Sequence, residues 1–276
     1  MACLAPTQAW RGKDRNPSGK TPLVFSKSQA ENPDEPYEVP CGTCMGCRKA
    51  KSREWAIRCY HESLLHPHNG FITLTYDDNH LPPGAKLSKP DLQNFLKRLR
   101  FKLGKEKLRY FACGEYGEET RRPHYHLLTF GKDFRGNELA LSETEFHSPY
   151  IEDLWPYGHH RIGTVQAGAC FYVAGYETKK LGDPDIFTSM SKNIGKEWAL
   201  KNREELATLK TCHIEGSEHP IPKPYFEWLA EDLAEAKDHA SNEARRRDYL
   251  DVVQTRHYMA QQFKAKERQR RTKEHV

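Results

Sequence analysis

The chain has 276 residues, 37% of them hydrophobic and 29% charged, and a formal net charge of +5. This length and composition support a soluble globular protein with one main domain and appended segments. No apolar run approaches the roughly 18 residues that a membrane helix needs, and the first ten residues lack the features of a signal peptide. We therefore expect a cytoplasmic protein with no membrane partner.

Basic residues are concentrated in three runs, although the net charge is modest. Such runs are usually solvated helix faces, but three in one chain favour a polyanionic partner, and nucleic acid is the natural candidate. The third run lies at 264–273. The candidate DNA contacts, drawn from the first two runs together with one further arginine, are Arg48, Lys49, Lys51, Arg53, Lys97, Arg98, Arg100 and Arg122.

The first half of the chain predicts one strand and two helices after an irregular start. Residues 1–40 carry Pro, Gly, Ser and charge without sustained periodicity. A helix is predicted at 50–65 and a strand at 71–76, where FITLTY is rich in β-branched and aromatic residues. The segment LSKPDLQNFLKRLRFKL predicts a helix with a basic outer face, because Ser88 and Asp91 resemble a capping box before an apolar stripe.

The second half begins with an antiparallel hairpin, formed by RYFACGEYG and PHYHLLTF around a polar turn. Residues 159–165 predict a further strand and residues 167–181 a helix, while the chain beyond Gly182 reads as irregular until a charged helical segment. This order predicts an α+β fold, an antiparallel sheet with packed helices. The expected divisions are a Cys-rich N-terminal segment at 1–49, a core at 50–185 and a mostly helical, basic C-terminal region at 186–276.

Three of the eight cysteines lie close together in PCGTCMGCR, at gaps that allow successive thiolates to face one Zn²⁺. In a reducing compartment this pattern favours metal over disulfide. The expected zinc ligands are Cys41, Cys44, Cys47 and Cys3. His61 is the alternative fourth ligand, and an iron–sulfur cluster or metal-free structural thiols also remain open.

His124 and His126 are separated by one residue on a predicted strand, so their side chains emerge from one face about 7 Å apart. If the hairpin closes symmetrically, Glu115 lies across from His124 and adds a carboxylate to that face. Two imidazoles and a carboxylate suit Mg²⁺ or Mn²⁺, which would polarise a phosphate. The alternative interpretation is a half-buried histidine pair bonded to its neighbours.

Tyr172 and Tyr176 lie four residues apart on a predicted helix, so they share one face with Lys180. This spacing is also typical of a packing stripe. A phenol is a weak nucleophile at pH 7 and needs an activated electrophile and a nearby cation, which Lys179 or Lys180 offers. Combined with the paired histidines, the tyrosines therefore favour a metal-dependent enzyme over packing alone.

With these residues the chain resembles the HUH endonucleases, which nick single-stranded DNA and become linked to its 5′ phosphate through tyrosine. It is most similar to the replication initiators of gokushoviruses, small single-stranded DNA phages of the microvirus family. The resemblance covers about half the chain. It is carried by PCGTCMGCRKAKSREWAIRCYHE, FITLTY, CGEYGEETRRPHYHLLTF and FYVAGYETKKL.

The resemblance implies rolling-circle replication, in which origin DNA is nicked and the strand is then transferred to release circles. It implies His124 and His126 as metal ligands, Tyr172 and Tyr176 as paired nucleophiles, and Lys180 as an aid at the scissile phosphate. The implied partners are single-stranded viral origin DNA and a host helicase, in the cytoplasm of a bacterial host. The alternatives are a non-enzymatic zinc-containing nucleic-acid-binding protein and an HUH relaxase or transposase.

Overall fold

The computed structural model describes residues 3–16, 21–117, 119–135, 145–179, 183 and 185–237. Within these ranges the chain divides into two compact units, with the boundary between Ala50 and Lys51. The basic run at 264–273 and most of the predicted charged C-terminal helix lie outside the described residues. Of the helices that the structure describes, none is long and apolar enough to cross a membrane.

The first unit contains a small antiparallel sheet with the strand order β2-β1-β3. Its strands are β1 (Thr7–Arg11), β2 (Leu23–Val24) and β3 (Tyr37–Val39). The prediction of an irregular start is wrong for these residues. Because the strands are short and bury little besides Ala9 and Trp10, they lack the alternation of apolar and polar residues that identifies a strand.

The second unit is built on a five-stranded sheet in which every pair of neighbouring strands is antiparallel. Its strands are β4 (Asn69–Tyr76), β5 (Arg109–Tyr116), β6 (Pro123–Phe130), β7 (Gly158–Thr164) and β8 (Phe187–Met190). The strand order is β7-β4-β6-β5-β8, so β6, which carries both histidines, is the central strand. The predicted α+β fold with an antiparallel sheet and helices is confirmed.

Helices accompany both sheets, and a second short hairpin follows the main sheet. The helices are α1 (Met45–Ser63), α2 (Lys89–Leu103), α3 (Pro149–Glu152), α4 (Ala167–Lys179), α5 (Lys196–Lys201), α6 (Arg203–Leu209) and α7 (Lys223–Trp228). The short hairpin pairs β9 (Cys212–Ile214) with β10 (Ser217–His219).

The alternation of side chains along β6 separates two layers of core. Tyr125 and Leu127 face α2, in one cluster with its apolar stripe. Leu128 and Phe130 face the other way, in a cluster that includes Val173 of α4. Side chains two residues apart on a strand share a face, so both histidines of β6 lie on the α4 side of the sheet.

The start of α2 is fixed to the sheet by a chain of hydrogen bonds. The Ser88 side chain accepts a bond from the Asp91 backbone N–H, at 3.4 Å, as the predicted cap requires. The Tyr125 hydroxyl donates to the Ser88 carbonyl at 2.8 Å, and the Tyr76 hydroxyl donates to the Asp91 carboxylate at 2.7 Å. These bonds hold α2 against one face and leave the opposite face to α4.

The chain after residue 185 is more regular than its sequence predicts. Strand β8 extends the sheet beside β5, and α5, α6 and α7 pack with the short hairpin into a further cluster around Tyr225. The imidazole of His61 lies in the same region, stacked 3.5 Å from Trp198 between ring centroids and bonded at 2.9 Å to the Tyr225 hydroxyl. These short elements owe their order to long-range packing, which local periodicity does not reveal.

Candidate active site

The β5–β6 hairpin places a carboxylate beside the histidines. Its register pairs Glu115 with His124, as a symmetrical hairpin predicts. The Glu115 carboxylate bonds instead to the neighbouring histidine, with 3.0 Å between its Oε1 and His126 Nε2. Glu115 is 4% exposed and His126 6% exposed. Because a carboxylate this deeply buried requires a polar partner, the pair is a fixed feature of this face.

Two threonines of β4 hold both imidazoles from behind. The β4–β6 register pairs Thr73 with His126 and Thr75 with His124. Their hydroxyls lie 3.1 Å and 3.0 Å from the respective Nδ1 atoms. With Nδ1 engaged in each ring, Nε2 is the nitrogen that remains for a ligand. The sequence analysis missed this role, although Thr73 and Thr75 have the same alternation in FITLTY as the histidines in PHYHLLTF.

A glycine leaves open space in front of His124. A Cβ atom on Gly117 would lie 2.8 Å from His124 Nε2 and therefore collide with it. Gly117 does not adopt a positive φ, so its backbone does not require glycine. The missing side chain thus keeps one face of His124 Nε2 clear.

The charge state of His124 suits metal binding. Burial lowers the pKa of His124 below its usual value, and the neighbouring His126 lowers it further, while Glu115 acts in the opposite direction. The imidazole is therefore neutral at pH 7, which is the form that binds metal. The ligand atoms of His124, His126 and Glu115 do not all lie within 4.8 Å of one another.

Helix α4 brings both predicted tyrosines over the histidine strand. The Tyr176 ring stacks on His126 with 5.4 Å between centroids and an interplanar angle of 2°. The Tyr172 ring meets the same imidazole edge-on, also at 5.4 Å, and lies 5.2 Å from the Tyr176 ring. The structure therefore gathers in one place two histidines, one carboxylate and two phenols that are distant in sequence.

The two tyrosines differ in their access to solvent. Tyr172 is 52% exposed, whereas Tyr176 is only 1% exposed. Burial raises the pKa of Tyr176 well above its usual value, and hydrogen bonding to Glu115 and to Tyr172 raises it further. Tyr172 is therefore the phenol that an incoming molecule meets first.

The predicted basic residues are dispersed rather than gathered at this site. Residue Lys179 ends α4, but its side chain and the whole of Lys180 lie outside the described residues. Arg122 donates to the Tyr76 carbonyl at 2.9 Å and pairs with Asp78. The α2 residues Lys97, Arg98 and Arg100 lie on the opposite side of the sheet from the histidines, and Arg48, Lys49, Lys51 and Arg53 belong to α1.

In the first unit, the four predicted cysteine ligands converge. Their sulfur atoms all lie within 4.8 Å of one another, and in the described chain they form the one such group of three or more metal-ligating residues. Backbone N–H groups donate to these sulfurs, including Cys44 N–H to Cys41 at 3.3 Å. That bond and the Thr43 hydroxyl lower the pKa of Cys41 to about 6. The group Cys3, Cys41, Cys44 and Cys47 can hold a metal such as zinc.

Comparison with known proteins identifies related chains over most of the sequence. The family model of replication-associated proteins of the ORF2 type matches residues 69–181, which include the histidines, Glu115 and both tyrosines. The chain is 36% identical over 253 residues to replication-associated protein VP4 of Bdellovibrio phage phiMH2K, covering 83% of this chain and 77% of the relative. No solved structure matches it.

Two further relatives carry the same description. Replication-associated protein ORF2 of Spiroplasma virus 4 is 35% identical over 237 residues, covering 75% of this chain and 72% of the relative. Replication-associated protein ORF4 of Chlamydia phage 1 is 30% identical over 220 residues, covering 71% of this chain and 54% of the relative. The predicted family is thus confirmed, and the chain belongs to the replication-associated proteins of these viruses.

Proposed function

We propose that the protein initiates rolling-circle replication by nicking single-stranded viral origin DNA and joining its own tyrosine to the new 5′ end. The observation that carries this proposal is the packing of Tyr172 and Tyr176 around His126, which is bonded to Glu115 on the adjacent strand. A tyrosine helix over a strand with two histidines is the arrangement expected of an HUH endonuclease. Membership of the replication-associated family supports a role in viral DNA replication.

The residues of this face fit a divalent cation. His124, His126 and Glu115 would hold Mg²⁺ or Mn²⁺, because two imidazoles and a carboxylate are suitable donors and leave positions open. The clear space beside Gly117 and the engaged Nδ1 atoms support this role for His124 and His126. When bound, the cation supplies charge that polarises a phosphate for attack.

The chemistry itself belongs to the tyrosines. The Tyr172 oxygen would attack phosphorus, forming a tyrosine–phosphate ester as the bond from phosphorus to the 3′ oxygen breaks. The phenol loses its proton and the departing 3′ oxygen gains one, so the phosphodiester energy is kept for rejoining. We assign the first attack to Tyr172 because Tyr176 is buried and its pKa is raised. Lys179 or Lys180 would assist at the phosphate.

Tyr176 would supply the second attack. Completing a circle requires a second nick while the first 5′ end is still held by Tyr172. The Tyr176 ring is one helical turn away and only 5.2 Å from Tyr172 between centroids, so it can take the second phosphate after leaving its stack on His126. Strand transfer between the two ends then releases a circle. A host helicase would open the duplex, in the cytoplasm of the bacterial host.

Incubation with a single-stranded origin oligonucleotide and Mn²⁺ tests this function. We expect a protein band shifted by a covalently attached 5′ fragment. His126→Ala should abolish the shift while leaving DNA binding largely intact, since binding depends on dispersed basic and aromatic groups. Binding without any adduct would instead favour the non-enzymatic nucleic-acid-binding protein. An adduct formed without dependence on the viral origin would favour a relaxase or transposase.

We further propose that the four cysteines hold one structural Zn²⁺. Their convergence from two distant segments, with Cys3 as the fourth ligand, supports a closed tetrahedral site. Elemental analysis should give about one zinc per chain. Cys44→Ser should lower both the zinc content and the melting temperature, because metal binding stabilises the fold. A folded wild-type protein without zinc contradicts the site, and iron with visible absorption would indicate a cluster instead.

A further inference from the structure

The outer face of α2 presents an aromatic ring to solvent, on the side of the sheet away from the histidines. Phe101 is 90% exposed, more than any other large hydrophobic side chain in the described part of the chain. Burying such a ring would contribute about 1.5–3 kcal/mol, so its exposure forgoes a substantial stabilisation. One exposed ring is ordinary by itself, and what surrounds Phe101 decides its meaning.

Phe101 lies in a groove with a mixed lining. The groove has a volume of about 630 Å³ and is formed by Phe101, Leu154 and the side chains of Lys97, Arg98 and Lys102. This volume falls within the range of about 300–1,000 Å³ that is typical of ligand sites. Apolar atoms form its floor, and the charged ends of long side chains stand at its rim.

The rim of the groove is strongly cationic. Arg98 donates to the Leu154 carbonyl at 2.9 Å, which fixes its guanidinium beside the groove. Lys102 forms an ion pair with Asp153 at 2.9 Å. Together with Lys97 and Arg100 on the same helix, these side chains set four cations against one carboxylate. The groove therefore attracts polyanions.

An exposed aromatic ring surrounded by cations fits single-stranded nucleic acid. Unpaired bases stack on aromatic rings while neighbouring phosphates pair with Lys and Arg. Duplex DNA keeps its bases stacked on one another, so it has no use for the ring. The chemistry of the groove thus selects the single strand over the duplex.

We propose that the groove around Phe101 is a second single-stranded DNA-binding site, in which a base stacks on Phe101 and flanking phosphates contact Lys97 and Arg100. The inference rests on the proposed function, since the ligand is the DNA that the protein nicks. Because α2 and α4 cover opposite faces of the sheet, this site is separate from Tyr172. It holds the strand at a distance from the nick.

Affinity for a 30-nucleotide single strand, measured by fluorescence anisotropy at fixed salt, tests the proposal. Phe101→Ala should weaken binding at least about fivefold, which corresponds to about 1 kcal/mol for one lost stacking contact. Phe101→Trp should restore it. The matched control is Phe25→Ala, which removes another exposed phenylalanine, 65% exposed, and should leave affinity unchanged. Lys97→Gln should reduce the slope of log affinity against log salt by about one unit.

Four outcomes are decisive. Wild-type affinity in Phe101→Ala overturns the proposal, and so does a change in sedimentation without a change in affinity, which would mark the face as a contact between copies of the chain. Loss of nicking on a short oligonucleotide that spans only the nick also overturns it, because the two sites would then not be separate. If the wild-type protein forms no covalent adduct but Phe101→Ala still loses affinity, the groove stands and the nicking function fails.

Discussion

Replacing Gly117 with alanine tests whether metal binding depends on the open space in front of His124. The added methyl carbon would lie 2.8 Å from His124 Nε2. That distance is well inside the optimum of about 3.5–4.0 Å for such contacts, so either the imidazole moves or its ligand position is blocked. The φ angle of Gly117 is not positive, so alanine is compatible with the backbone.

The size of the effect follows from what His124 loses. Turning the ring away breaks the 3.0 Å bond between its Nδ1 and the Thr75 hydroxyl. Disrupting such supporting bonds typically lowers metal affinity about 10- to 100-fold. We therefore expect Gly117→Ala to weaken Mn²⁺ binding at least about tenfold, or about 1.4 kcal/mol. The free energy of unfolding should change by less than about 1 kcal/mol, because the affected contact is local.

Mn²⁺ titration by calorimetry measures the affinity directly, and the yield of DNA adduct against Mn²⁺ concentration measures its consequence. The matched control is Gly168→Ala at the start of α4, where an added Cβ meets no other atom within 4 Å. That change should raise helix stability by up to about 1 kcal/mol and leave Mn²⁺ affinity unchanged. If Gly117→Ala binds Mn²⁺ as tightly as wild type, the open space has no role in metal binding.

Three further outcomes are expected. Tyr172→Phe should slow the first covalent linkage more than Tyr176→Phe, and the double variant should form none, as a gel-shift time course would show; equal rates in both single variants would contradict the assigned order. Thr73→Val should weaken Mn²⁺ binding about tenfold while Thr73→Ser restores it, because only the hydroxyl holds His126 Nδ1. Burial lowers the pKa of His61 to about 3, so the unfolded chain binds the extra proton and the free energy of unfolding should fall as pH drops from about 6.5 to 3, by up to about 1.4 kcal/mol per unit; His61→Gln should lose this contribution in pH-dependent denaturation.

The sequence predicts the parts of the site that depend on local geometry. Alternation along a strand places His124 and His126 on one face, and hairpin symmetry places Glu115 opposite His124. The four-residue spacing of Tyr172 and Tyr176 gives their shared helix face. Each of these relations spans at most a hairpin or one turn of helix, so no knowledge of the tertiary structure is needed.

Relations set by tertiary packing were not predictable from the sequence. Spacing makes Tyr172 and Tyr176 equivalent, yet one is half exposed and the other buried, because depth depends on how α4 tilts over the sheet. The bond of Glu115 runs diagonally to His126, since that side chain lies deeper than His124. Gly117 looks like an ordinary turn glycine, and its role emerges only from its proximity to His124.

The most direct test of the central claim is to identify the residue that carries the DNA. After reaction with a single-stranded origin oligonucleotide and Mn²⁺, the adduct is digested with protease and nuclease and mapped by mass spectrometry. We predict a 5′-phosphonucleotide on Tyr172, and on Tyr176 when Tyr172 is replaced by phenylalanine. A cleaved oligonucleotide with no protein attached, or attached to a residue outside α4, would contradict the account.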